Sequence, residues 1–476
     1  MSRKNQKPSA PEGPLPITER ACYGLGDLAS CLFWQTLTIY LLFFYTDVFG
    51  MSAAAAGIMI GVSRFLDAVF DVIIGMAADR TKTRWGKFRP YILWGALPLA
   101  TSAVLAFSTP AFGPTGKIVY AYVTFVSFMF LYSTVNIPYT SLLGVISSDP
   151  IERTSASSFK FVGAYAGGII VSASALPLTA YFSRGHNATR GWTMTLGTYG
   201  VAAVILFLIT FAMTHERIQP IAKEKTPIKD DLKDISKNVP WLVLFAATIL
   251  FILFICIRMG VTTHYFKYFI GEQTVSLFGV TRKFGFEALA SAYNTLGQVL
   301  SLVGVMLVPW FTRVCGRKRA LMILMVGALV STGAFYFFKP NDLGLIFFFQ
   351  AFGSLTGGPI SAVLWVLYAD TADYSEWKTG RRATGLVFSA SIMSNKIGWT
   401  VGSMIAGLIL EITGFAPNVA QNPSVLHGLK SMMSIIPVAA GVLTLAILVF
   451  FYKLDEPFMA KIKLDLEARR KAQQAF

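Results

Sequence analysis

Arg64, Asp67 and Asp71 stand three and four residues apart in the stretch GVSRFLDAVFDVIIGMAAD, a spacing that puts all three on one face of a helix. Two carboxylates on one face can hold a small cation through oxygen, or share one exchangeable proton because like charges oppose joint ionisation. The plainer reading is an Arg64–Asp67 pair that only ties helices together. A second constellation, YSTVNIPYT, gathers Tyr132, Ser133, Asn136, Tyr139 and Thr140 around Pro138. Its hydroxyls, amide and rings suit a polyol, cap an interrupted helix, or act as polar glue between helices. Lys160, Arg258 and Lys396 are basic groups in strongly apolar surroundings. Trp365 and Tyr368, in SAVLWVLYAD, offer either a stacking wall or ordinary packing. The run ADTADYSEWKTGRR brings together Asp370, Asp373, Glu376, Lys378, Arg381 and Arg382, which reads as an ion-pair gate or as a charged cap. His264, one of 4 histidines, is expected at a membrane interface and not as a ligand.

Composition says what must position these groups. Of the 476 residues 54% are hydrophobic and 14% charged, against roughly 25% charged in soluble chains, so the solvent is a bilayer. Long apolar runs recur near 22–49, 54–78, 90–109, 117–147, 158–182, 193–213, 239–269, 286–310, 319–338, 342–370, 383–412 and 429–452. Each approaches the ~20 residues that a span requires. The expected fold is an all-α polytopic membrane protein with twelve transmembrane helices in two six-helix bundles. The domains are then a cytoplasmic N-terminal tail 1–21, a bundle 22–213, a linker 214–238, a second bundle 239–452 and a cytoplasmic tail 453–476.

The net charge of +16 would suggest nucleic acid in a soluble chain, but the positions of the basic residues point elsewhere. With both termini in the cytoplasm, inner segments hold 29 lysines and arginines and outer loops 6, the bias expected of a multi-pass inner-membrane protein. The opening MSRKNQKPSAPEGPLPITER has no apolar core and reads as a tail and not a signal peptide. The 4 cysteines are widely spaced without a CxxC, so no metal or disulfide framework is expected. No nucleophile motif, phosphate-binding loop or dinucleotide fingerprint appears in a suitable context. The chain therefore reads as a non-enzyme without cofactor, powered by an ion gradient of H+ or Na+. Basic loops at 75–90 and 308–320, each after the second span of its half, suggest repeated halves that rock about a central site. Lys396, in mid-span, needs an acidic partner, and Asp67 and Asp71 are the best-placed deep acids, Asp27 and Asp47 lying nearer the ends of the first span.

Taken together, YGLGDLAS, RFLDAVFD, RTKTRWGKFRP, NIPYTSL, YFKYFIG, ADTADYSEWKTGRR, Lys396 and TGFAPNVAQNPSVLHG resemble the glycoside-pentoside-hexuronide cation symporters of the major facilitator superfamily, and most closely the melibiose carrier branch. The resemblance implies the major facilitator fold and symport of a glycoside, pentoside or hexuronide by alternating access, with one chain sufficing. It implies a cation site of Asp67, Asp71 and Ser133, with Lys396 nearby. Phe70 replaces the branch's cation-site asparagine, which favours H+ over Na+. Cys31 and Asn136 stand where the melibiose carrier has sugar-binding aspartates, so its galactoside site is not reproduced. Lys160 replaces a helix-five arginine, and Trp365 lies near Ser361, which falls where that carrier has a stacking tryptophan. Lys160 and Arg258 beside fewer acids tolerate an anionic sugar. The alternative from a different substrate class is a lysophospholipid or other amphiphile, carried by distant animal relatives.

Overall fold

The computed structural model describes residues 14–147, 149–218, 237–277, 280–379 and 384–474. Helices occupy each of the expected apolar runs: α1 Ile17–Phe43, α2 Ala53–Arg80, α3 Arg89–Ala106, α4 Pro114–Leu142, α5 Pro150–Phe182, α6 Ala188–Met213, α7 Val239–His264, α8 Phe286–Cys315, α9 Arg317–Ala334, α10 Leu343–Thr379, α11 Thr384–Ile412, and the broken pair α12 Pro423–Met433 and α13 Ile435–Phe451. Among the described residues, eight spans are long and apolar enough to cross a membrane by length and composition. Inside a bilayer the backbone must satisfy its own polar groups, which is why the apolar runs are helical. Starts are marked locally: Asn187, Asn238 and Asn422 each accept the N–H three residues on, at 3.0, 3.2 and 3.0 Å, as good N-caps do.

Side chains such as Trp94, Leu97, Met306, Phe337 and Phe450 are 65–78% exposed. Patches of this size are untenable in water and belong against lipid. Pro138 lies inside a continuous α4, so the helix is not interrupted there. α1 and α7 each end in a π-helical turn, Phe44–Val48 and Tyr265–Ile270. Two features lie outside the expected spans. Gln273–Leu277 and Val280–Phe284 form a two-stranded sheet, and Glu456–Gln474, expected as a tail, forms a helix, α14.

The chain divides into two compact units. The first runs to Ala222 and includes Phe284–Thr295 and Ala416–Val419; the second comprises the remainder. In the first unit α1 and α5 come together through glycines: a Cβ on Gly163 would lie 2.1 Å from the Gly24 carbonyl oxygen, and one on Gly167 would lie 2.9 Å from that of Leu28. Small residues let membrane helices approach this closely. The second unit has an apolar core including Trp241, Leu244, Phe251, Met325, Ile360 and Tyr368. Met459, Ile462 and Leu466 of α14 pack into the same core, and Trp377 Nε1 donates to Asp465 at 2.9 Å.

Candidate functional site

Helix α2 carries Arg64, Asp67 and Asp71. Arg64 and Asp67 are buried and Asp71 half-buried, as charged groups in a span must be. The Ser133 hydroxyl of α4 donates to Asp67 Oδ1 at 2.6 Å, a short hydrogen bond between two buried side chains. The Arg64 guanidinium lies over Trp34 at 4.9 Å, and Trp34 stacks on Tyr132 at 5.4 Å with the planes 26° apart. Phe70 meets Phe130 edge-on at 5.3 Å, a packing role that supplies no oxygen ligand.

One turn along α4, Asn136 Nδ2 donates to Ser30 Oγ at 3.3 Å and to Tyr132 Oη at 3.5 Å. Lys160 of α5 stands 4.0 Å from Asp27 Oδ1 and donates to Thr140 Oγ1 at 3.5 Å. Cys31 is half-buried on α1, beside the close approach at Gly167. An open groove of about 770 Å³ begins at Thr140 and is lined by Ser141, Arg153, Thr154, Ser157 and Phe161. The first unit therefore brings together Cys31, Arg64, Asp67, Tyr132, Ser133, Asn136, Thr140 and Lys160 on α1, α2, α4 and α5. Such a surface offers donors, acceptors and aromatic faces, the set that sugar hydroxyls and sugar ring faces use.

Sequence reasoning missed two of its members. The signal that could have found both is their spacing, because Asp27, Cys31 and Trp34 follow the i, i+4, i+7 pattern of one helical face.

In the second unit Arg258 of α7 donates to Thr332 Oγ1 and to Gln350 Oε1, both at 3.1 Å, and covers the Phe335 ring at 4.5 Å. Lys396 is half-buried on α11. Trp365 is 37% exposed, with its ring 5.9 Å from Tyr368. Tyr368 itself is 1% exposed; its hydroxyl pairs with Thr248 at 2.8 Å and donates to the Leu244 carbonyl at 3.0 Å. That seats it in the core of its unit, on the packing side of the two readings that SAVLWVLYAD left open. His264 is fully buried, edge-on to Phe415 at 5.3 Å.

The charged run after α10's apolar segment is organised by partners from elsewhere in the unit. Asp370, 4% exposed, accepts from Arg317 Nη1, and Arg317 also bonds Glu456 through its side chain at 3.1 Å and its backbone N–H at 2.7 Å. Burial disfavours the charge on Arg317, but Glu456 and Asp370 together hold its pKa above the ordinary value. Asp373 and Glu376 are half-buried on α10. Arg381 and Arg382 lie outside the described residues.

The first unit has a parallel device. Glu216, just past α6, accepts the backbone N–H groups of Lys87, Phe88 and Arg89 at 2.8, 2.7 and 3.0 Å, at the start of α3. Neighbouring Arg217 holds Glu19 through two 2.7 Å hydrogen bonds, which raise the Arg217 pKa. In each unit a glutamate past the last apolar helix thus caps the loop before a short helix, the position of the two basic loops read from the sequence.

Residues 22–456 match the family described as MFS/sugar transport protein. The chain is 36% identical to an isoprimeverose transporter of Lactiplantibacillus pentosus over 97% of this chain and 93% of that one. It is 32% identical to an inner membrane symporter of Escherichia coli (strain K12) over 97% of both. A crystal structure of a nucleoside transporter, NupG, superposes with a TM-score of 0.65 at 14% identity, covering 92% of this chain and 100% of that one, a likeness of fold.

Proposed function

The chain belongs to the MFS/sugar transport protein family, as a glycoside-pentoside-hexuronide symporter, and from that premise we propose that it carries such a sugar across the bacterial inner membrane together with H+ or Na+. The observation that carries the reading is the 2.6 Å hydrogen bond from Ser133 to buried Asp67, one turn of α2 from Asp71 and beside the aromatic pair Trp34–Tyr132. An ion-binding acid next to sugar-binding chemistry is what coupling requires.

In this reading Asp67, Asp71 and Ser133 take the ion, with Lys396 as the counter-charge of the second bundle. Arg64, Cys31, Tyr132, Asn136, Thr140, Lys160, Arg258 and Trp365 meet the sugar. Asp370, Asp373, Glu376, Arg381 and Arg382 act as a cytoplasmic gate. The bundles are 22–213 and 239–452, both termini are cytoplasmic, and one chain forms the pathway. Alternating access follows from linkage: if the bound ion raises sugar affinity by some factor, the sugar raises ion affinity by the same factor. The carrier rearranges when both are bound.

Sealed proteoliposomes with a proton or sodium gradient imposed separately, offered labelled isoprimeverose, methyl xyloside and methyl glucuronide, test this. One gradient drives accumulation of at least one sugar, and Asp71→Asn abolishes that accumulation. Uphill uptake by folded Asp71→Asn protein equal to that of the parent refutes the assignment.

A further inference from the structure

Asp27 is the one acid on this face of the first unit with no part in the ion site. It shares its helical face with Cys31 and Trp34 over about 10 Å of helix rise, roughly the length of a disaccharide. Its carboxylate stands 4.0 Å from the Lys160 ammonium, with the two side chains 14% and 20% exposed. Lys160 is held on other sides as well, by Thr140 Oγ1 at 3.5 Å and by the Tyr139 ring at 5.6 Å. That ring is itself fixed: Tyr139 stacks on Tyr23 at 4.9 Å and donates to the Tyr23 carbonyl at 2.8 Å. The ammonium is therefore held close to its counter-ion.

The other basic group brought together with it, Arg64, covers Trp34 and shares a helix face with Asp67 and Asp71, so each of these two cations has an acid beside it in the first unit. We propose that Asp27 sets the charge class of the sugar: by holding the Lys160 charge matched, it makes the site one for an uncharged glycoside or pentoside and turns away a hexuronide. The pair presents an uncharged sugar with an acceptor and a donor side by side. A uronate carboxylate must instead stand next to Asp27, or displace it from Lys160, and like charges so placed repel strongly at partial burial. This deepens the sugar-symport reading and rests on it.

Counterflow across proteoliposomes, which needs no ion gradient and so isolates sugar recognition from coupling, tests the proposal with isoprimeverose, methyl xyloside and methyl glucuronide. The parent protein exchanges a neutral sugar in preference to the glucuronide. Asp27→Asn raises the glucuronide-to-neutral ratio by roughly 10-fold or more, as expected for unmasking a partly buried charge. Lys160→Gln, which leaves Asp27 uncompensated, moves the ratio the opposite way, and the reversed pair Asp27→Lys with Lys160→Asp returns it toward the parent value. A merely structural pair would lower all three exchanges together without moving the ratio. A glucuronide preference in the parent, or a ratio unmoved in folded single variants, overturns the proposal alone. Absence of exchange for all three sugars in folded parent protein overturns the sugar reading, and the proposal with it.

Discussion

Gly163 is a position where a single methyl group would collide with backbone. A Cβ there would sit 2.1 Å from the carbonyl oxygen of Gly24, 3.0 Å from its carbonyl carbon and 3.3 Å from the Leu28 nitrogen, all of them backbone atoms of α1. No rotamer change relieves a clash with backbone, so α5 must retreat from α1. Restoring an ordinary 3.4 Å contact needs a retreat of about 1.3 Å at that point. Lys160 lies one turn before Gly163, and Asp27 one turn after Gly24, so the same retreat stretches the 4.0 Å ion pair. Overpacking of this kind costs about 1–3 kcal/mol. Gly163→Ala should therefore melt several degrees lower in detergent and show weaker sugar binding in counterflow. Gly197 of α6 provides the control, because nothing lies within 4 Å of a Cβ placed there. Gly197→Ala should leave binding untouched and hold or raise stability, by up to about 1 kcal/mol, since alanine orders a helix at lower entropic cost. A Gly163→Ala protein with the parent's melting temperature and sugar affinity would refute the described packing of α1 on α5.

Ser133→Ala removes the hydrogen bond to Asp67, worth about 1.5–3 kcal/mol when the acceptor is charged. With Na+ as the coupling ion the mutation removes an oxygen ligand, and the concentration for half-maximal uptake should rise roughly 10- to 100-fold; with H+ it should not rise, since a donor to a carboxylate favours the ionised form over the protonated one, and an unchanged value for sodium-driven uptake would remove Ser133 from the ion site. Glu216→Gln replaces the carboxylate that receives three backbone N–H groups with an amide of weaker acceptor strength, and should lower the melting temperature; an equal melting temperature would show the loop to be held by other means. Burial, with the charges of Arg89 and Arg217, holds the His215 pKa below its ordinary 6.5 despite the pull of Glu19. Below pH 6.5 the unfolded chain therefore takes up a proton that the folded one refuses, so this contribution to stability is complete above 6.5 and declines as pH falls beneath it. His215→Gln should flatten that acid decline in a pH series of melting temperatures, and an identical slope would exclude His215 as its source.

The helices were legible because a bilayer leaves a long apolar run no alternative to helix, whatever its detailed packing. Helix ends were less so. α10 continues to Thr379, beyond the apolar run that ended at 370, since hydropathy marks where lipid stops and not where hydrogen bonding does. The face of Arg64, Asp67 and Asp71 was readable from spacing alone, being local to one helix. Partnerships across the chain were not. The link of Lys160 to Asp27 and that of Asp370 to Arg317 join residues far apart in sequence, and a residue's type does not say which distant charge it will meet. The surroundings of Tyr368 and His264 stayed open for a related reason: a polar tip on an apolar helix has the same sequence whether it faces a cavity, a membrane surface or a neighbour in its own unit such as Thr248 or Phe415.

The widened turns that finish α1 and α7 make the two units alike in a way that residue types do not. A π-helical turn is the trace of an extra residue accommodated in an α-helix, and here it occurs at the same point of the opening helix of each unit, in the dissimilar sequences FYTDV and YFKYFI. The same widening at the same point of both opening helices is a second likeness between the units, beside the glutamates that cap their basic loops, and one that neither sequence shows.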